Sequence, residues 1–322
     1  MAECMRLGMM VRSDQGGLGN QTFEMWRHLK PEVTVNVNFS RLADAMPQGY
    51  WQYPGAIETT WKGVGFNFDN PVALDALKTC DVILSVETFY DLRVPQLGVP
   101  AVLYINAELF RGYGSPTYWA PTDWLLGSLP DETRVVPFPV ATDRPYKRGY
   151  GFMHVAGRNS SYDRNGTQAA AAAVRRLGKI LQMTHQVDMP SVQGARQLGA
   201  VDHYWDAYAH GHVLVIPRRY GGMCLPVQEA LAAGLTVVMT DQSPNERWPV
   251  LRISGTETTV NTVAKFPIPA MDVDVDALTE ALCTINDWAA DNQQAQRDWV
   301  EANSWDTLIS VWQAALADVA NS

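Results

Sequence analysis

Residues 218–241, RRYGGMCLPVQEALAAGLTVVMTD, set two arginines before two glycines, a Cys-Leu-Pro step and one glutamate in an alanine-rich run. Each part suits the binding of a nucleotide. Gly221 and Gly222 let a ligand approach the backbone closely, and Pro226 fits a first helical turn, where its missing N–H is no loss. The amides of Met223, Cys224 and Leu225 then point out of the helix start, with the positive end of the dipole behind them. That is a cradle for phosphate. Glu229 sits one turn inside and would repel phosphate, but a carboxylate accepts two hydrogen bonds from neighbouring hydroxyls such as a ribose diol. A helix start carrying an ordinary surface glutamate would produce the same letters.

A second group of charges lies upstream. Arg158 follows the apolar run GFMHVAG (151–157), and Arg164 comes six residues later in the polar loop RNSSYDRNG. Two guanidiniums on one loop offer planar, permanently charged clamps for a diphosphate. Taken singly, each reads equally as an exposed loop charge. Residues 146–245 carry 10 Lys/Arg against 6 Asp/Glu, whereas residues 1–145 carry 11 against 16 and residues 246–322 carry 4 against 12. One basic block in a chain of net charge −9 points to a local anion site, and the acidic remainder argues against a nucleic-acid-binding face.

Other chemistries are poorly supported. DVDVD (272–276) imitates an Asp-x-Asp metal motif but directly precedes the helical run ALTEALCTIN, so an N-cap and first-turn charge explain it. His210 and His212 in AHGH have no third ligand nearby in sequence, and no metal is expected. Gly17, Gly19 and Thr22 nearly spell G-x-G-x-x-G after a strand, which keeps a dinucleotide-dependent oxidoreductase as an alternative. The acidic residue that reading needs after the next strand is Asn38 here. Cys4, Cys80, Cys224 and Cys283 are widely spaced, with no C-x-x-C pair, which predicts free thiols in a reducing compartment.

These residues need a scaffold. At 322 residues, 47% of them hydrophobic, the chain has material for two cores. No run reaches eighteen apolar residues, and MAECMRLGMMVRSD turns polar too soon for a signal peptide, so a cytoplasmic protein without membrane insertion is expected. RLGMMV (6–11) predicts a strand, SDQGGLGN (13–20) a glycine loop and TFEMWRHLK a helix stopped by Pro31. VTVNVNF (33–39), CDVILSV (80–86) and PAVLYIN (100–106) predict further strands, with a helical piece at 71–80. Residues 133–151, with three prolines and a basic cluster, read as a linker. The pattern then restarts: strand 151–157, helix from Thr167, strand 181–187, helix 201–212, and strands 213–217 and 235–241 around the Glu229 helix. Near-continuous apolar strands alternating with helices predict α/β units with parallel sheets covered on both faces.

The stretch GGMCLPVQEALAAGLTVVMTD resembles the donor-binding signature of GT-B fold glycosyltransferases, in particular the retaining family 4 group. That family shows E-G-F-G-L-P-x-x-E-A followed by A-x-G-x-P-V-V-A-T-D. Glu229 falls on the second glutamate, Arg158 and Arg164 on the Arg-then-Lys pair of the G-R-x-x-x-x-x-K-G loop, and GGLG (16–19) on the N-terminal glycine loop. ANSWDTLISVWQ resembles the Ser-Trp that opens the last helix. The resemblance implies two Rossmann-like α/β/α domains, 1–143 and 144–298, facing a central cleft, with residues 299–322 crossing back onto the first. It implies a UDP- or GDP-sugar donor held by Gly222, Met223, Cys224, Leu225 and Glu229, with Gly17 and Gly19 closing over the phosphates. Transfer would retain anomeric configuration, with Arg158 and Arg164 stabilising the departing diphosphate. The acceptor (protein, glycan, lipid head group or modified nucleobase) would sit on the first domain near Glu108. Two departures stand out: Gly221 replaces the first glutamate of E-x7-E, and Arg164 replaces the lysine, set one residue from its glycine by Asn165. The first keeps a catalytically inactive sugar-nucleotide-binding module as a further alternative.

Overall fold

The computed structural model describes residues 5–39, 49–61, 67–112, 116–157, 163–186, 189–264 and 266–322. The chain divides into two compact units. Unit 1 is Met1–Pro137 with Leu308–Ser322, and unit 2 is Phe138–Thr307.

Unit 1 contains β1 (Leu7–Val11), α1 (Gly17–Leu29), β2 (Val33–Phe39), β3 (Ile57–Trp61), α2 (Pro71–Leu77), β4 (Val82–Val86), β5 (Ala101–Tyr104), β6 (Thr117–Ala120) and β7 (Arg134–Val135). Its strands form one parallel sheet in the order β3-β2-β1-β4-β5-β6-β7. The chain winds outward from β1 to β3, then returns to β4 on the other side of β1. LGMMV and VILSV are buried along their whole length, as strands covered on both faces must be. Helix α2 begins where Asn70 accepts from the Val72 amide at 3.1 Å and Pro71 takes the first turn.

The helix expected after SDQGGLGN begins inside it, at Gly17. The Asp14 side chain accepts from the Gly16 amide at 2.7 Å, and the first turn packs back on the chain. A Cβ on Gly19 would lie 1.9 Å from the Asp14 carbonyl oxygen, so no larger residue fits. The expected linker 133–151 is partly structured. β7 closes the edge of the unit 1 sheet, and Val140 pairs with Ser304.

Unit 2 contains β8 (Phe152–Gly157), α3 (Thr167–Arg176), β9 (Leu181–His185), β10 (Ala195–Gly199), β11 (Val213–Val215), α4 (Leu225–Ala232), β12 (Thr236–Thr240), β13 (Leu251–Ile253), β14 (Gly255–Val260), β15 (Ile268–Val273), α5 (Val275–Cys283) and α6 (Ile285–Ala302). A parallel sheet runs β10-β9-β8-β11-β12-β13, and β14 and β15 form a separate antiparallel hairpin. Alternate residues of one strand feed opposite cores. Val213 and Val215 pack with α3 and α5, while Leu214 packs with Val227 and Leu231 of α4. The expected helix 201–212 is a short 3-10 helix, Tyr204–His210.

The last helix, α7 (Trp305–Ala320), starts in unit 2, and from Leu308 on it belongs to unit 1. There Trp312 is fully buried against Tyr104 and Trp119, its ring nitrogen donating to the Pro137 carbonyl at 2.9 Å. No described helix is long and apolar enough to cross a membrane.

Candidate functional site

The unit 2 sheet reverses its winding between β8 and β11, so the loops after these two strands leave its carboxyl edge side by side. Such a reversal is where open α/β sheets take ligands. Both loops are pinned together, the Arg219 amide donating to the Arg164 carbonyl at 2.8 Å. Beneath them His154 is buried, bonded to the Val215 carbonyl at 2.7 Å and the Thr167 hydroxyl at 3.0 Å. Burial holds its pKa below the ordinary value.

Two helices start at this edge, and they differ. The amides of Thr167 and Gln168 at the start of α3 are taken by the Asp163 carboxylate at 2.7 and 2.9 Å. That helix start already holds its anion. The N-cap of α4 is Cys224, whose side chain makes no capping hydrogen bond, and Pro226 occupies the first turn. The amides leading into α4 therefore rely on something other than a side-chain cap.

Two guanidiniums converge beside that start. A Cβ on Gly221 would lie 2.1 Å from a terminal nitrogen of Arg218 and 2.5 Å from one of Arg164. Gly221 adopts φ +130°, and its lack of a side chain makes the room that both arginines occupy. A side chain at this position would have to displace both guanidiniums. Arg218 is buried, donating to the carbonyls of Tyr220 (2.9 Å) and Met223, so it also shapes the loop. Arg164 reaches the Tyr220 carbonyl at 3.3 Å and lies 5.4 Å from the centre of the Tyr220 ring. Arg219 turns away, pairing with Asp272 at 2.5 Å.

Glu229, half-buried on α4, accepts a 2.5 Å hydrogen bond from the Tyr208 hydroxyl, which fixes its carboxylate. Burial, then the Glu229 charge, pushes the Tyr208 pKa well above its usual value, so the hydroxyl stays a donor.

Arg164, Gly222, Met223, Cys224, Leu225 and Glu229 are thus grouped at one sheet edge of unit 2. Arg158 lies outside the described residues. Gly17 and Gly19 are in the first turn of α1 and Glu108 is in a buried 3-10 turn after β5, all in unit 1. Sequence reading missed Arg218 and Tyr208. The Arg-Arg pair signalled the first; nothing local signalled the second. DVDVD is accounted for: Asp272 pairs with Arg219, Asp274 caps α5 and Asp276 pairs with Arg176.

No protein-family model and no curated protein sequence matches the chain. Solved structures do. A sucrose-phosphate synthase from Thermosynechococcus elongatus superposes with a TM-score of 0.67 at 13% identity, covering 99% of this chain and 100% of the other. A glycosyltransferase from Rickettsia africae ESF-5 gives 0.64 at 11% identity, covering 98% and 99%. A pneumococcal O-GlcNAc transferase, solved with UDP and GlcNAc, gives 0.51 at 11% identity, covering 77% and 60%. Two α/β units with parallel sheets, matched over nearly the full length of the first two structures, give this chain the GT-B fold.

Proposed function

We propose that the protein is a glycosyltransferase taking its sugar from a nucleotide-sugar donor held at the β8/β11 edge of unit 2. One observation carries the reading: Arg164 and Arg218 converge on Gly221 at the start of α4, whereas the neighbouring helix start is filled by Asp163. Like charges brought together beside a positive dipole end favour an anion there, and a diphosphate spans such a site. Glu229, held by Tyr208, is positioned to accept from a ribose diol. In the reaction the bond between the anomeric carbon and the phosphate oxygen breaks, and one to an acceptor hydroxyl oxygen forms. The hydroxyl proton leaves with the diphosphate. The arginines would take up charge as the first bond breaks, with Arg158 acting beside them. The pattern of the resembling family supports retention of configuration. With guanidiniums serving the phosphates, the reading requires no divalent ion.

Thermal unfolding with a panel of nucleotides and nucleotide sugars tests this. A ligand at 100 times its dissociation constant stabilises by about 2.7 kcal/mol. UDP, GDP or one of their sugars should raise the midpoint in the native protein, and Arg164→Ala and Arg218→Ala should lose the shift. A response to NAD alone would replace this reading with the oxidoreductase one.

A further inference from the structure

Chain order along α4 sets the order of the groups in a bound donor, on the glycosyl-transfer reading above. Glu229 stands four residues inside Leu225, so a ribose held there lies about 6 Å along the helix axis from its start. The diphosphate takes the amides at that start. What the diphosphate carries on its far side then continues past the N-cap, Cys224, toward Gly221. That is where the transferred sugar belongs.

The surroundings of Gly221 are cationic. Terminal nitrogens of Arg218 and Arg164 both crowd the point that a Cβ on this residue would occupy. Guanidiniums stay charged at any working pH, so their approach is unfavourable until an anion offsets it. Arg218 is only 4% exposed, and its bonds to the Tyr220 and Met223 carbonyls satisfy donors without supplying a countercharge. The acidic groups of this edge are engaged elsewhere. Asp163 holds the α3 amides, Asp272 pairs with Arg219, and Glu229 accepts from Tyr208. A neutral hexose would offer hydroxyls, which accept hydrogen bonds but bring no negative charge. A carboxylate brings the charge, and its plane matches the guanidinium fork.

We propose that the donor sugar is acidic, a hexuronic acid whose C6 carboxylate meets Arg164 and Arg218 at Gly221. Calorimetry on the whole chain tests this with UDP-glucuronic acid against UDP-glucose and against the uncharged C6 amide of the same acid. GDP-mannuronic acid against GDP-mannose covers the other base, with UDP and GDP alone as references. With the base that binds, the acid should bind about 10- to 150-fold tighter than its neutral counterpart, the range of one charged hydrogen bond. Arg218→Lys keeps the charge and removes the fork, so that preference should fall about tenfold while affinity for the bare nucleotide changes less. Equal binding of acid and neutral donors would overturn the proposal, as would an Arg218→Lys protein that loses acid and bare nucleotide alike. The amide comparison uses the native chain and decides the matter even if Arg218→Lys does not fold. UDP or GDP bound with no preference among sugars removes the acidic donor alone; no binding of any nucleotide removes the glycosyl-transfer reading together with it.

Discussion

The charges that converge on Gly221 make single substitutions informative. Glu229→Ala should weaken nucleotide binding about 10- to 150-fold, the loss of a charged hydrogen bond of roughly 1.5–3 kcal/mol, with the fold intact. Calorimetry with UDP and GDP on a folded variant checks it; unchanged affinity would sink the ribose assignment. Gly221→Ala should destabilise by about 1–3 kcal/mol, because φ +130° is strained for any side chain. The added carbon also meets both guanidiniums, so nucleotide affinity should drop with stability, and denaturant titration beside calorimetry reads both. These residues differ in how far the sequence betrays them. The run from Gly222 to Glu229 was legible because a loop, a proline and a helix start place them by chain order alone. Of the Arg-Arg pair, sequence could not say which turns inward. Asp272, distant in the chain, settles it by capturing Arg219. Tyr208 was illegible for a similar reason: it reaches Glu229 from a turn 21 residues earlier.

At the scale of elements, the strands that sequence reveals are those wrapped by helices. β1, β4 and β12 are buried throughout and read as apolar runs. β3 (IETTW), β10 (ARQLG) and the β14–β15 hairpin have side chains facing water, so they lack that run, and none was foreseen. Helix ends follow local chemistry more closely. Asp274 caps α5 by accepting from the amides of Asp276 and Ala277, as its place before the helical run suggested. Asp163 does the same for α3, and Asp163→Ala should cost about 0.5–2 kcal/mol, read as a lower denaturant midpoint. An unchanged midpoint would mean that water replaces the carboxylate at no cost.

At the scale of the whole molecule, acid should loosen unit 2 through its buried histidine. The pKa of His154 lies below 6.5 in the folded state, because burial disfavours its charged form. The unfolded chain therefore takes up a proton first as pH falls. Stability that is full above about pH 6.5 should decline toward the folded pKa, by about 1.4 kcal/mol for each unit of depression. Thermal midpoints from pH 7.5 to 5 should show that decline, and His154→Gln should flatten it; a slope identical in both proteins would refute the assignment. The two-unit arrangement was legible from the restarting strand–helix pattern, but the part of α7 that unit 1 claims was not visible in any periodicity. That ownership bears on synthesis. Trp312 fills a place between Tyr104 and Trp119, yet it is made only after all of unit 2. Domains on a ribosome generally fold in the order they emerge. Here the unit begun first is completed only after unit 2 has been made, and until Trp312 emerges its sheet lacks the indole that packs on Tyr104 and Trp119.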